Sequence, residues 1–440
     1  MGIIEKIRNN PKLYKAAVTV ATPVLNIKSK IEDAKALKQL EQANEGYSKA
    51  PAENDPIRVV FIAQYIPAWN KMESVYKAMV DDERFNVYLL CVPDRIKFGE
   101  LDDIENNKNE VYEYYVDRGY DAINALVGKN KWFDLKRLKP DFVFQSRPYN
   151  HYMPAAYTSG EISKYARICS LMYATSLTRT GMKITLNHDY YRNVFCYFAE
   201  TKETLLFYKK EFEKGHIKGV QHSYYLGYPG YESIVKQKDA KNKAWDFCDK
   251  DFRVMWTPRW STDKKEGGSN FFVYKDAFLE YAKEHENIAF LFRPHPLMFD
   301  NFIKTGEMLE DEVNDYKDTV SKMPNTSLDS EKEYVPTFWN SSVLVSDISG
   351  IVPEYFITGK PLIFCKSSKE WDYSNETLKM LEGCYVVENK EQLFERLDKL
   401  ASGEDELEEK RKEILNELYE ETLETATKNI VERLAQRTGF

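Results

Sequence analysis

From Ile57 onward, short apolar runs alternate with longer stretches whose apolar positions recur at helical spacing. Arg58-Val59-Val60-Phe61-Ile62-Ala63, Phe85 to Val92 and Pro140-Asp141-Phe142-Val143-Phe144-Gln145 read as buried strands, and Met72 to Val80 as a helix. Ile184-Thr185-Leu186, Val194 to Ala199 and Lys218-Gly219-Val220-Gln221 continue this strand series. A second series begins with a strand running into a turn over Val254 to Trp260, followed by a helix from Phe271 to Glu284, a strand from Ile288 to Phe292 and a helix from Phe299 to Tyr316. Ser341 to Phe364 then reads as strand, tight turn, short helix and strand. Pro353 suits a first helical turn, Gly359 suits a helix end, and Cys384 to Val387 adds a last strand. Strands alternating with helices predict an α/β fold with mainly parallel sheets. The pattern divides into an N-terminal unit over 56–245, a C-terminal unit over 250–403, and a charged helix over 404–440 that closes two units facing a shared cleft.

Residues 1–50 have another character. Apolar residues from Ile3 to Ile27 recur at roughly helical spacing, and residues 1–40 hold eight Lys/Arg against three acids. A basic amphipathic arm of this kind can lie on an anionic membrane surface. The competing expectations are a helix packed on the protein's own body and a partner-binding arm. Gln42 to Asp55 reads as a polar linker.

The length of 440 residues exceeds one ordinary core and agrees with two domains. A net charge of −8 argues against a nucleic-acid partner held by a basic surface. The six cysteines show no metal-binding spacing and read as reduced, mostly buried thiols of a cytosolic protein. No apolar run is long enough to span a bilayer. Aromatic content of 14%, with 30 tyrosines, would suit a wide polar cleft.

Candidate chemistry gathers where strands should end. His295 sits between Pro294 and Pro296 after an apolar strand, with Arg293 before it. The prolines restrict the backbone, and an Arg/His pair suits phosphate oxygens. Ser349, Gly350 and Ile351 open the short helix after Asp347 and offer unpaired N–H groups to an anion. Thr257 and Arg259 follow the first strand of the second unit. In the first unit, His222 in Gly219-Val220-Gln221-His222-Ser223 is expected to end a strand and face the cleft as a general base. Gln221 and Arg147 are further cleft candidates on that side. No P-loop, dinucleotide fingerprint or metal motif is present, so neither metal nor cofactor is expected.

Taken in order, Gly219-Val220-Gln221-His222, Met255 to Trp260, Phe292 to Leu297, and Ser346 to Gly350 through Glu354 to Phe364 resemble the CDP-glycerol glycerophosphotransferase family. Its members make teichoic acids and related capsule polymers. The resemblance implies two Rossmann-like domains facing a cleft (the GT-B arrangement) and a metal-independent site. It also implies peripheral attachment to the inner face of the cell membrane. By the same resemblance His222 matches the proposed base, His295 serves the donor pyrophosphate, Ser349 matches one of a pair of donor-site hydroxyl residues, and Glu354 stands where the family has an Asp. The family usually carries Trp-His-Gly-Thr-Pro at the first histidine, where this chain has Gln-His-Ser-Tyr-Tyr. The implied reaction moves a polyol phosphate from a CDP-activated donor to a hydroxyl of a lipid-linked glycan or polymer. A glycosyltransferase using a UDP- or CMP-sugar and a catalytically silent membrane scaffold are the competing readings. The sequence leaves the polyol, acceptor and oligomeric state open.

Overall fold

A computed structural model describes residues 11–47, 55–97, 100–101, 108–241, 243–263, 268–329, 331, 333–367 and 369–436, with side chains within 11–47 described for 27–45. Helix α1 (Pro11–Tyr47) runs unbroken through Pro23. Its C-terminal half lies on the first domain. Ala36 and Leu40 are buried, Gln39 donates to the Ser163 hydroxyl at 2.6 Å, and Arg192 pairs with Glu32 at 2.7 Å. Acids at Glu32 and Glu41 meet Arg192 and Lys218, so complementary charge holds this part of the arm on the protein body. Residues 1–10 of the expected arm lie outside the described residues.

The first domain is a seven-stranded parallel sheet built from β1 (Ile57–Ala63), β2 (Phe85–Cys91), β3 (Ala122–Asn124), β4 (Phe142–Gln145), β5 (Arg167–Leu171), β6 (Cys196–Phe198) and β7 (His222–Tyr224). Its order is β7-β6-β5-β4-β1-β2-β3. Alternation along β1 sends Val59, Phe61 and Ala63 into one core and Val60 and Ile62 into the other. Both faces are therefore covered, which explains why the strand reads as continuously apolar. Ile184-Thr185-Leu186 is not a strand: Arg179–Thr185 is helical, and the Thr178 side chain caps it by accepting from Gly181 N–H. The cap and the helical turn it starts outweigh three β-prone residues. Helices α2 (Lys202–Glu211) and α3 (Glu213–Ile217) lead into β7.

The second domain is a six-stranded parallel sheet of β8 (Phe252–Thr257), β9 (Ile288–Phe292), β10 (Thr326–Leu328), β11 (Val343–Ser346), β12 (Leu362–Cys365) and β13 (Tyr385–Val387), in the order β10-β9-β8-β11-β12-β13. The expected helix from Phe299 to Tyr316 is two helices, Met298–Thr305 and Glu310–Lys322. Gly306 ends the first with φ of 75°. Between β11 and β12 lies α4 (Ile351–Phe356), and α5 (Asn375–Leu381) precedes β13. Pro353 falls in the first turn of α4, where its missing N–H costs nothing, and Gly359 follows with φ of 71°.

The C-terminal segment forms two helices rather than one. Helix α6 (Glu408–Tyr419) belongs to the second domain, where the buried Arg411 donates to the Gly359 carbonyl at 3.0 Å. Helix α7 (Ala426–Ala435) crosses back to the first domain, and Ile430, Val431 and Leu434 join the core beneath β1 and β2. Apolar residues along this segment thus serve two separate cores.

Candidate active site

The strands of the second domain end at a rim that carries a cluster of cationic and hydrogen-bonding groups. Arg259, beyond β8, donates from Nη1 to the Ile348 carbonyl at 2.8 Å, which fixes its guanidinium beside the start of α4. Arg293, beyond β9, donates to Asp329 at 2.6 Å and to the Glu331 carbonyl at 2.9 Å, and lies 5.0 Å from the Tyr334 ring centroid. His295 Nδ1 accepts from Leu297 N–H at 3.2 Å, which leaves Nε2 to carry the proton in the neutral ring. Burial lowers the His295 pKa to about 4, and the charges of Arg259 and Arg293 add to this. The imidazole is therefore neutral at pH 7 and offers an Nε2–H, while the nearby guanidinium charges favour an anion. Helix α4 has only six residues. Arg259 brings a whole positive charge there, more than the partial charge at such a helix start, while Arg293 shares its charge with Asp329. Ser349, Gly350 and Ile351 are half-buried there.

Other expected donor residues have structural duties. Thr257 Oγ1 donates to Ser346 Oγ at 2.9 Å, tying the ends of β8 and β11 together. Asp347 accepts from the N–H groups of Arg259 (2.8 Å) and Asn270 (2.9 Å), and burial pushes its pKa up to about 7. Glu354 is buried between domains. One carboxylate oxygen meets Lys71 Nζ at 2.8 Å, and the other accepts from Tyr334 OH at 2.6 Å. Lys71 also donates to Tyr334 OH at 2.9 Å. Burial alone would lower the Lys71 pKa, but Glu354 and Tyr334 carry it well above the ordinary lysine value. These polar atoms engage protein instead of facing a ligand. Lys71 and Tyr334 were missed in the sequence, where the only signal is a lysine set between Trp69 and Met72.

His222 and Gln221 are corrections. Helix α3 exits through Gly219 at φ 65°, and both Val220 and Gln221 donate N–H groups back to the Gly215 carbonyl. The ladder starts only when His222 N–H reaches the Phe195 carbonyl, so residues 218–221 form a helix exit and His222 opens β7. Its imidazole turns back to the Gly219 carbonyl at 3.1 Å, packs 4.9 Å from the Phe195 ring, and has its pKa lowered to about 4 chiefly by burial. Gln221 is buried and donates to the carbonyls of Tyr191 and Val194. Neither side chain reaches the strand-end rim, so the expected meeting of two imidazoles from opposite domains is not observed.

Arg147 does lie at the first-domain rim, just beyond β4, paired with Asp94 at 3.1 Å. His151 follows on the turn Asn150–Tyr152, 4.1 Å from the Tyr152 ring centroid. Farther along this rim, Ala174 and Thr175 come against Gly350, whose Cβ, if present, would stand 3.8 Å from the Thr175 carbonyl oxygen. The strand ends of the two domains thus face each other.

Solved structures share this architecture. The UDP-GlcNAc 2-epimerase from Neisseria meningitidis bound to UDP-GlcNAc has 14% identity and a TM-score of 0.56, covering 86% of this chain and 100% of its own. The wall teichoic acid polymerase TagF has 13% identity and a TM-score of 0.57, covering 94% of this chain and 98% of its own. No curated protein sequence matches. Two Rossmann-like domains meeting strand-end to strand-end place the chain in the GT-B class of architecture. The model of the CDP-glycerol:poly(glycerophosphate) glycerophosphotransferase family matches residues 178–436, more than half of the chain. The protein belongs to that family and is a glycerophosphotransferase.

Proposed function

We propose that the protein transfers glycerol phosphate or a related polyol phosphate from a CDP-activated donor to a hydroxyl of a lipid-linked glycan or polymer. The setting would be teichoic-acid or capsule synthesis at the inner face of the cell membrane. The observation that carries the donor side is the convergence of Arg259, Arg293 and neutral His295 on one rim within the matched span. These groups suit a diphosphate: the guanidinium charges offset its negative charge, and His295 Nε2–H donates to an oxygen. Ser349, Gly350 and Ile351 line the same side.

In the reaction the acceptor oxygen attacks the phosphorus bearing the polyol. The phosphoanhydride bond breaks, and CMP leaves with the electron pair. A loose transition state places most of the acceleration in positioning and charge stabilisation. His222 was the expected proton acceptor; with it away from the rim, we assign that role to His151, the first-domain histidine beyond β4. Among the described residues no helix is long and apolar enough to cross a membrane, and membrane attachment would fall to the N-terminal part of the arm.

The test is release of CMP from CDP-glycerol or CDP-ribitol in the presence of a lipid-linked saccharide, compared with release of UDP from UDP-sugars. Turnover of UDP-sugars alone would overturn the assignment in favour of glycosyl transfer. Removing residues 1–26 should weaken binding to anionic vesicles; unchanged binding would overturn the membrane role.

A further inference from the structure

The rim of the first domain carries a ledge of tyrosines. Arg147 is stacked between Tyr65 (4.7 Å from the ring centroid) and Tyr152 (4.1 Å). Tyr149 stands edge-on to Tyr152 at 6.1 Å and shares a hydroxyl–hydroxyl hydrogen bond of 3.1 Å with Tyr173. The four tyrosines are half-buried, so each anchors one side of its ring and leaves part accessible. They come from three separate strand ends, beyond β1, β4 and β5, and the Arg147–Asp94 pair knits two of those ends to a fourth, beyond β2.

Two observations decide what this surface fits. First, Tyr173 directly precedes Ala174 and Thr175, which lie against Gly350 at the donor rim. A ligand along the ledge therefore has one end beside the groups assigned to the diphosphate. Second, the ledge is electrically balanced. Arg147 is matched by Asp94 at 3.1 Å, and neighbouring Arg95 is matched by Glu110 at 3.3 Å. At the donor rim Arg293 is likewise paired, with Asp329 at 2.6 Å, and Arg259 stands beside His295. A polyol-phosphate chain carries a charge at every repeat and would favour a cationic track. An uncharged sugar ring presents C–H groups to aromatic faces and hydroxyls to phenols, and tyrosine serves both.

Resting on the transferase reading above, we propose that this ledge is the acceptor subsite and that it takes an uncharged saccharide rather than the growing end of a polyol-phosphate chain. The ledge lies before residue 178, outside the span matched by the family model. It thus belongs to the part of the chain in which acceptor choice can differ from relatives that share the donor half.

The test uses the full chain and two probes, a methyl glycoside of an N-acetylhexosamine disaccharide and a glycerol-phosphate tetramer. Binding of each is followed by saturation-transfer NMR and titration, and CDP-glycerol binding by thermal shift. The disaccharide should bind and the tetramer should not compete with it. Tyr149→Ala and Tyr152→Ala should each weaken disaccharide binding about tenfold, the scale of one lost aromatic contact. Tyr149→Phe, which keeps the ring, should recover most of that loss, and CDP-glycerol binding should stay at the parental level in all three. Tighter binding of the tetramer, or disaccharide affinity unmoved by both alanine variants, overturns the ledge assignment while leaving the transferase reading intact. Disaccharide binding that depends on Tyr149, in a protein that neither binds nor cleaves CDP-glycerol, supports the ledge and removes the transferase reading.

Discussion

His295 governs the acid–base behaviour of the donor rim. Its neutral ring donates from Nε2 at pH 7, and an arriving diphosphate would raise its pKa by supplying negative charge. Donor binding should therefore take up a proton between about pH 4 and 6.5, the interval between the shifted and ordinary histidine values; calorimetry in buffers of different ionisation enthalpy would detect it. Removal of this donor in His295→Ala should lower kcat about 10²-fold or more, the scale for one donor to a developing charge. His222→Ala should have a much smaller effect, because that ring lies back against Gly219. Equal losses in a CMP-release assay would restore His222 to the site. Lys71 presents another residue-scale case. Its side chain is 2% exposed and that of Glu354 is 5% exposed. Lys71→Met should strand a buried carboxylate and destabilise the protein by about 3–5 kcal/mol, whereas Lys71→Met with Glu354→Gln should recover much of the loss in a thermal melt.

At the scale of elements, two helix starts clasp each other across the domains. Glu376 of α5 accepts from Lys202 N–H at the start of α2 (3.0 Å), and Glu203 of α2 accepts from Asn375 N–H at the start of α5 (2.6 Å). Each carboxylate satisfies orphan N–H groups of the other domain's helix. Burial is the largest cause of the Glu376 pKa rising to about 7, and Glu200 and Glu203 push the same way against the stabilising N–H bonds. A raised carboxyl contributes stability in its protonated form, present below its ordinary value and lost as pH rises through about 7. Glu376→Gln keeps an acceptor oxygen without the charge. Its melting temperature relative to the parent should therefore rise between pH 5 and 8, by about 2–4 °C per kcal/mol. A difference that stays flat with pH would show an ordinary carboxylate. The depressed values of His222 and His295 act oppositely, since stability from their neutral forms is present above about pH 6.5 and is lost as pH falls toward 4.

At the scale of the molecule, the segment between α6 and α7 is the second covalent crossing between domains. Gly227, at φ 92°, allows it to pass: a Cβ there would come within 2.6 Å of the Thr422 carbonyl oxygen. Gly227→Ala should lower the melting temperature by several degrees through both clash and backbone strain, an effect of about 1–3 kcal/mol or more. Ending the chain at Glu420 would remove Ile430, Val431 and Leu434 from the first-domain core. Calorimetry should then show loss of the first domain's cooperative transition while the second domain still melts; two intact transitions would mean that α7 is dispensable. The crossing also explains why the tail could not be divided from its pattern alone. Its apolar positions continue at helical spacing whichever core receives them.

Features that depend on neighbours along the chain are legible in the residues themselves. Apolar runs such as Ile288 to Phe292 marked buried strands, Gly359 marked a helix end, and Arg293 and His295 were legible because a strand and two prolines fix them locally. Short strands such as Arg167–Leu171 were less visible, since five residues beginning with arginine carry little periodicity. Where His222 falls on its strand emerges in the folded chain, because a carbonyl of α3 competes with the β ladder for residues 220 and 221. Folding likewise sets Lys71 against Glu354 and gathers tyrosines from separate strand ends into one ledge. The Lys71 and tyrosine outcomes depend on groups far apart in the chain, whose encounter is set by the packing of whole sheets and leaves no local periodic trace; His222 turns on a contest between the nearby Gly215 carbonyl and the more distant Phe195 carbonyl.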